Sequence, residues 1–138
     1  MSAGLKLEVT TPPGQVYSKA VDMVTLPGQE GEMGILPMHV PLIALLGDGE
    51  IIARRGDQED HLLVTGGCAE ITPERVAILT VYATDVAMID EKKAEDARAR
   101  AEARLKEKIS PEEVALVQAS LTHSLAQLKF KRRRHHHH

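Results

Sequence analysis

Glu32 and His39 lie in residues 31–46, GEMGILPMHVPLIALL, where ionisable groups are set among glycines and prolines ahead of an aliphatic run. A carboxylate and an imidazole on a stiff loop could move a proton or register a charged partner. Gly31 and Gly34 bracket Glu32 and Met33 and suit a tight reversal there. Pro37 and Pro41 fix φ and remove backbone donors, so residues 35–40 read as neither helix nor central strand. Residues 42–46 read as a buried segment leaving that bend. Glu32 has two readings, a carboxylate capping its own turn or an exposed contact for a basic partner. His39 is likewise open, between a satisfied structural histidine and a functional one.

No second constellation completes a catalytic site. His39, His61 and His123 show no metal-ligand spacing, and His135 to His138 resemble a purification-tag remnant. The single cysteine, Cys68, excludes an intramolecular disulfide and reads as a small buried hydrophobe, since no basic cluster adjoins it. Gly66-Gly67 has the form of a turn and lacks the lysine of a phosphate-binding loop. Catalytic residues, metal ligands and cofactors are therefore all expected to be absent.

The chain has 138 residues, 43% of them hydrophobic but only 2% aromatic, so a core must come from aliphatic side chains. Net charge is −3 even though Lys131, Arg132, Arg133 and Arg134 crowd the C-terminal tail, so the body before them is more acidic still. That balance argues against nucleic acid as a partner. No stretch reaches the ~18 apolar residues of a membrane span, and the N-terminus lacks the apolar region of a signal peptide.

The elements that must position these groups fall into two kinds. Leu5, Leu7 and Val9 alternate with Lys6, Glu8 and Thr10, the period of a half-buried strand. A turn at residues 11–14 leads to a strand over 16–26, with Val21, Met23 and Thr25 on one face. Residues 50–55 and 60–65 pair across a Gly56-Asp57-Gln58 loop, and residues 68–72 and 75–82 across Pro73-Glu74. Short strands with Gly/Pro turns predict an antiparallel sandwich or barrel-like sheet over residues 5–86.

From Asp90 the chain is rich in Ala, Glu, Lys and Arg, the strong helix formers. Asp90 is a plausible N-cap, and Asp96–Arg100 and Glu102–Lys106 are acid-before-base pairs four apart. Ser110-Pro111-Glu112-Glu113 restarts a helix with a capping box and runs to about Phe130. An antiparallel hairpin follows, with a thin stripe of Ala94, Ala97, Ala101 and Leu105 against Val114, Val117, Leu121, Leu125 and Leu128. His123 falls at the edge of that second stripe. Alanines remove little area from water, which makes the seam weak. The run 129–134 reads as a solvated, disordered basic end.

Residues 31–42, GEMGILPMHVPL, closely resemble the signature of the epsilon subunit of bacterial and chloroplast rotary ATP synthases. Gly66-Gly67, Glu70, the strand at residues 76–79, and the change to a helical hairpin after Ile89-Asp90 match the same family. The resemblance implies an all-β sandwich of about ten strands over residues 1–87, a two-helix regulatory hairpin over 88–130, and a basic tail over 131–138. It implies a central-stalk subunit without its own active site, peripheral to the cytoplasmic face of a bacterial inner membrane. Its partners would be the gamma subunit, the c-subunit ring, and the alpha and beta subunits through an extended, inhibitory hairpin. Gln29, Glu30 and Glu32 would face the c ring, and Met38 and His39 the gamma subunit. Arg98, Arg100, Arg104, Lys129, Lys131 and Arg132 would be the inhibitory basic residues. Some relatives bind ATP through an Ile/Leu-Asp-x-x-Arg-Ala motif. This chain has Ile89, Asp90, Lys93 and Ala94 there, with Lys93 in place of the arginine and His123 and Gln127 at two further arginine positions. A point charge replaces a bidentate fork, which implies weak or absent ATP binding. The alternative is an ATP-sensing domain whose hairpin folds around nucleotide. A small β-sandwich enzyme is the third, least supported reading.

Overall fold

The computed structural model describes residues 4–135, with side chains through Lys131. The chain divides into two compact units, the first ending at Ala87 and the second beginning at Met88. The first is a single ten-stranded sheet. In chain order its strands are β1 (Leu5–Thr11), β2 (Gly14–Val21), β3 (Met23–Gly28), β4 (Gly31–Ile35), β5 (Leu42–Leu46), β6 (Gly49–Arg55), β7 (Gln58–Val64), β8 (Gly67–Ile71), β9 (Arg75–Leu79) and β10 (Ala83–Asp85). The spatial order is β10-β7-β6-β3-β5-β8-β9-β1-β2, with β4 paired to β3 off that path. Neighbours run antiparallel except β1 and β9, which are parallel, Leu7 opposite Val76.

Alternation builds the core. Leu5, Leu7 and Val9 of β1 are fully buried, and with Val24, Leu26, Ile35, Leu46, Ile51, Ile71, Val76 and Ile78 they fill the inner side. The expected strand over residues 16–26 is broken at Asp22. Val24 and Leu26 are buried, while Met23 and Thr25 are only half-buried, the reverse of the predicted face. Asp22 is the cause. Its N–H donates to the Arg54 carbonyl at 2.7 Å and its carboxylate accepts the Gly56 N–H at 2.8 Å, which turns the chain and shifts the alternation by one.

A polar clasp joins β2 to β7, two strands that share no backbone ladder. The Tyr17 hydroxyl donates to Asp60 Oδ2 at 2.6 Å, and Arg55 Nε donates to the same oxygen at 3.0 Å. Lys19 Nζ stands 3.8 Å from that oxygen and 5.4 Å from the Tyr17 ring centre. Burial and the Asp60 hydrogen bond push the Tyr17 hydroxyl well above the usual phenol range. Burial opposes the charge on Asp60, yet hydrogen bonds from Arg55 and Tyr17 outweigh it and hold the carboxyl below the usual range.

The second unit contains α1 (Glu91–Leu105) and α2 (Pro111–His135). Asp90 caps α1, accepting from the N–H of Lys92 at 3.0 Å and of Lys93 at 3.2 Å. Half of the capping box forms at α2. The Glu113 N–H donates to Ser110 Oγ at 3.2 Å, while the Glu113 carboxylate turns to Arg104 instead. The helix continues past Phe130 to His135, so the expected disordered basic end is helical to that point. The segment has no Gly or Pro to stop it, and its cations favour a helix C-terminus. His136 to His138 lie outside the described residues.

The seam of the hairpin also differs. Ala94 and Ala101 are buried on α1, but on α2 Ser124 is buried at 6% exposure while Leu125 is exposed at 45%. The inward positions therefore run Val114, Val117, Leu121, Ser124, Leu128, and a small residue faces the alanine stripe where the helices come close. Asp96 and Arg100 form no ion pair; Arg98 pairs with Glu95 and Glu102 on its own helix.

Because the Asp60 pKa is depressed by the clasp, its contribution is present above the unfolded value of about 3.9 and is lost as pH falls through the folded value. Tyr17→Phe is expected to lower unfolding free energy by about 1–2 kcal/mol at neutral pH, measured by urea denaturation. Asp60→Asn should flatten the fall in stability below pH ~4.

Candidate interaction surfaces

The β3–β4 turn carries three of the sequence-identified residues. Gln29 and Glu30 form a two-residue loop, and Glu32 follows on β4 opposite Pro27. The reversal thus lies at Gln29-Glu30, three residues before the predicted Gly31–Gly34 bracket, because Gly28 and Gly31 close the pair. A Cβ on Gly28 would stand 2.6 Å from the Gly31 carbonyl oxygen, so only glycine fits that approach. The loop is strapped to β5 by the Gln29 N–H on the Leu45 carbonyl at 3.1 Å and to the following turn by the Gly47 N–H on the Pro27 carbonyl at 2.8 Å. Glu32 is exposed and accepts no hydrogen bond from any described residue, so it does not cap its own turn. Gln29, Glu30 and Glu32 border an open depression of about 420 Å³ with Met33 and Leu45 on its wall.

The loop over residues 36–41 presents apolar side chains. Met38 takes φ +69°, unusual for a residue with a Cβ, and its N–H is held by the Pro73 carbonyl at 2.7 Å. Its side chain is 68% exposed, and Leu36 and Val40 beside it are also exposed. His39 is half-buried, with Nδ1 2.7 Å from the Val40 carbonyl, which orients the ring and fixes the proton on that nitrogen. His39 and Met38 thus share the loop but differ: the imidazole is tied down, and the thioether projects.

The surface that sequence reasoning missed is the outer side of β5, β8 and β9. Residues 42–46 were expected to be buried. Leu46 is, but Ile43 is 72% exposed and Leu45 60%, with Leu79 on β9 at 58%. Register explains it. Ala44, Ala69, Ile78 and Val9 align on the inner side, so Leu45, Cys68, Leu79 and Thr10 align on the outer side. Cys68 is consequently half-exposed within an apolar patch, not buried in the core. An unbroken apolar run was the available signal, since it marks a strand covered on both faces.

The hairpin arginines are not alike. Arg98 is bonded to Glu95 and, at 2.7 Å, to Glu102. Arg104 is bonded to Glu107 and, through Nε at 2.8 Å, to Glu113 of α2. These carboxylates hold both guanidiniums above their ordinary range. Arg100 has no such partner among the described residues and lines a groove of about 310 Å³ with Ala97, Arg104, Val117 and Ser120. Lys129 is exposed and Lys131 half-buried on α2; the Arg132 side chain lies outside the described residues. At the head of α1, Ile89 and Ala94 are buried, Asp90 is committed to capping, and Lys93 is exposed. Burial pushes His123 on α2 below the usual imidazole range. Among the described residues no group of His, Cys, Asp and Glu is placed to hold a metal ion, and no helix is long and apolar enough to cross a membrane.

The first unit thus presents an aliphatic sheet face, a projecting apolar loop and an exposed acidic turn. Two family models match the chain: residues 4–86 to the ATP synthase delta/epsilon chain beta-sandwich domain and residues 88–131 to its long alpha-helix domain. The chain belongs to the ATP synthase delta/epsilon chain family. It is 42% identical to the ATP synthase epsilon chain of Syntrophobacter fumaroxidans over 94% of this chain and 96% of that one. It is 43% identical to the ATP synthase epsilon chain of Dehalococcoides mccartyi over 96% and 97%. Among solved structures, a chain of the Euglena gracilis mitochondrial ATP synthase OSCP/F1/c-ring assembly aligns with TM-score 0.65 at 25% identity, over 95% of this chain and 82% of that chain. A chain of the Tetrahymena thermophila mitochondrial ATP synthase central stalk and c ring shares the fold, with TM-score 0.50 at 17% identity over 61% and 68%.

Ile43→Ser with Leu45→Ser removes outer-face apolar surface without touching the core. Thermal stability should change by no more than about 0.5 kcal/mol, while binding of a hydrophobic fluorescent dye falls, both read on the isolated chain.

Proposed function

We propose that the chain is a non-catalytic central-stalk subunit of a rotary ATP synthase, coupling ring rotation to the catalytic head. The observation that carries the reading is the exposed aliphatic face of β5, β8 and β9 beside the Met38 loop. Three large aliphatic chains kept in water forgo roughly 1.5–3 kcal/mol each, which a partner surface can recover. The gamma subunit is the partner that fits: a shaft needs a permanent apolar contact to carry torque. Met38 and His39 extend that contact. Gln29, Glu30 and Glu32 face a basic loop of the c ring, where unpaired carboxylates set register more than affinity. The subunit works at the cytoplasmic face of a bacterial inner membrane, peripherally. Residues 1–87 are the binding domain, 88–130 the regulatory hairpin, and 131–138 its basic extension.

The hairpin inhibits ATP hydrolysis when it extends toward the alpha and beta subunits. The Ala94–Ala101 and Ser124 seam supports this, because small side chains bury little area and cost little to separate. Arg98, Arg100, Arg104, Lys129, Lys131 and Arg132 would meet acidic partner groups. Among the described residues Arg100 is held by no carboxylate, unlike Arg98 and Arg104. Arg104 must leave Glu113, an exposed pair that water and salt screen. A nucleotide-sensing role has less support, since Asp90 is committed to its cap and Lys93 points to solvent without a fork.

Co-expression with the gamma subunit of the same complex should give a co-eluting pair on gel filtration; separate elution removes the reading. Truncation after Ile89 should leave that pair intact and raise ATP hydrolysis by the holoenzyme several-fold, with unchanged hydrolysis leaving the hairpin a structural element only. Calorimetric titration with ATP and magnesium should show no micromolar site.

A further inference from the structure

The outer face of β5, β8 and β9 is apolar apart from Glu70 and, at the start of β9, Arg75. Ile43, Glu70, Ala77 and Glu8 stand in one row across β5, β8, β9 and β1, and Leu45, Cys68, Leu79 and Thr10 in the next. Glu70 therefore has Ile43 and Ala77 as lateral neighbours, and lies one row from Leu45 and Leu79. A surface that covers Ile43, Leu45 and Leu79 also covers Glu70.

The two carboxylates in that row are treated differently. Glu8 receives Arg75 Nε at 2.7 Å and Gln15 Nε2 at 3.0 Å. Arg75 and Lys6 flank it, and they hold its carboxyl below the usual range. Glu70 is exposed and has neither ion pair nor hydrogen bond with any described residue, although it borders the same depression of about 280 Å³ as Glu8 and Arg75. One guanidinium thus faces two carboxylates and is spent on Glu8. Burying the remaining carboxylate without a partner would cost several kcal/mol, enough to cancel the gain from the aliphatic side chains around it.

We propose that Glu70 is the specificity-determining charge of this docking face, and that the gamma subunit covering it inserts one lysine or arginine into the aliphatic surround. The inference rests on the gamma-docking reading above and goes beyond it by fixing the chemistry the partner must carry. A cation surrounded by Ile43, Ala77, Leu45 and Leu79 would be shielded from salt, and an aliphatic partner without one would be rejected.

The test uses the full chain, titrated calorimetrically into a core complex of the alpha, beta and gamma subunits lacking it. Glu70→Gln keeps size and polarity but removes the charge, and should weaken binding roughly 10- to 100-fold with an unchanged melting temperature. Glu70→Asp keeps the charge and should lose less, and Glu70→Lys should lose more than Glu70→Gln. Glu70→Gln binding within twofold of wild type, or more tightly, overturns the inference and leaves the docking reading intact, since the face then holds no partner cation. Failure of the wild-type chain to bind overturns both. A melting temperature lowered in Glu70→Gln but not in Glu70→Asp, with equal affinities for the two, makes Glu70 a folding residue and also overturns it.

Discussion

A β-strand has two faces, and a sheet coiled around one core can bury only one of them. That constraint governs this molecule. Inward residues from β1 through β9 fill the interior, and whatever the chain places between them must face outward. On β1 the intervening residues are Lys6, Glu8 and Thr10, which suit water. On β5 they are Ile43 and Leu45, which do not. The chain thus carries one sheet face with large aliphatic side chains left in water.

Hydrogen bonds in the rest of the first unit tie down the segments that border that face. The β3–β4 turn is strapped to β5, and Met38 is held against the β8–β9 turn in a conformation its side chain disfavours. Behind the Gly66-Gly67 turn, Thr80 is buried with its hydroxyl 2.8 Å from the Gly66 carbonyl, and a Cβ on Gly67 would run into the Leu79 carbonyl. The Tyr17–Asp60–Arg55 clasp closes the far side where no ladder exists. The hairpin is built to the opposite specification, with small residues at its seam and exposed ion pairs that screen easily.

Much of this was legible beforehand. Alternation in β1, the turns at residues 56–57 and 73–74, and the Asp90 cap follow from local rules and appear as expected. Of the two readings of Glu32, its exposed carboxylate, without a hydrogen bond from any described residue, removes turn capping. The errors came from places where a distant residue decides. Asp22 flips the alternation of β3 because it bonds to Arg54 and Gly56, far along the chain. Ser124 displaces Leu125 from the seam because helix packing favours the small side chain opposite alanine.

The sequence by itself determined the elements, the aliphatic core, the helical hairpin and the family signature at residues 31–42, because these depend on neighbours within a few positions. It also recorded that residues 42–46 avoid water on both faces. Only the tertiary structure decided what each face meets, because strand register is set by pairing across the sheet. Register sends Leu46 inward, leaves Ile43 and Leu45 bare, and places Glu70 between them and β9 without a cation.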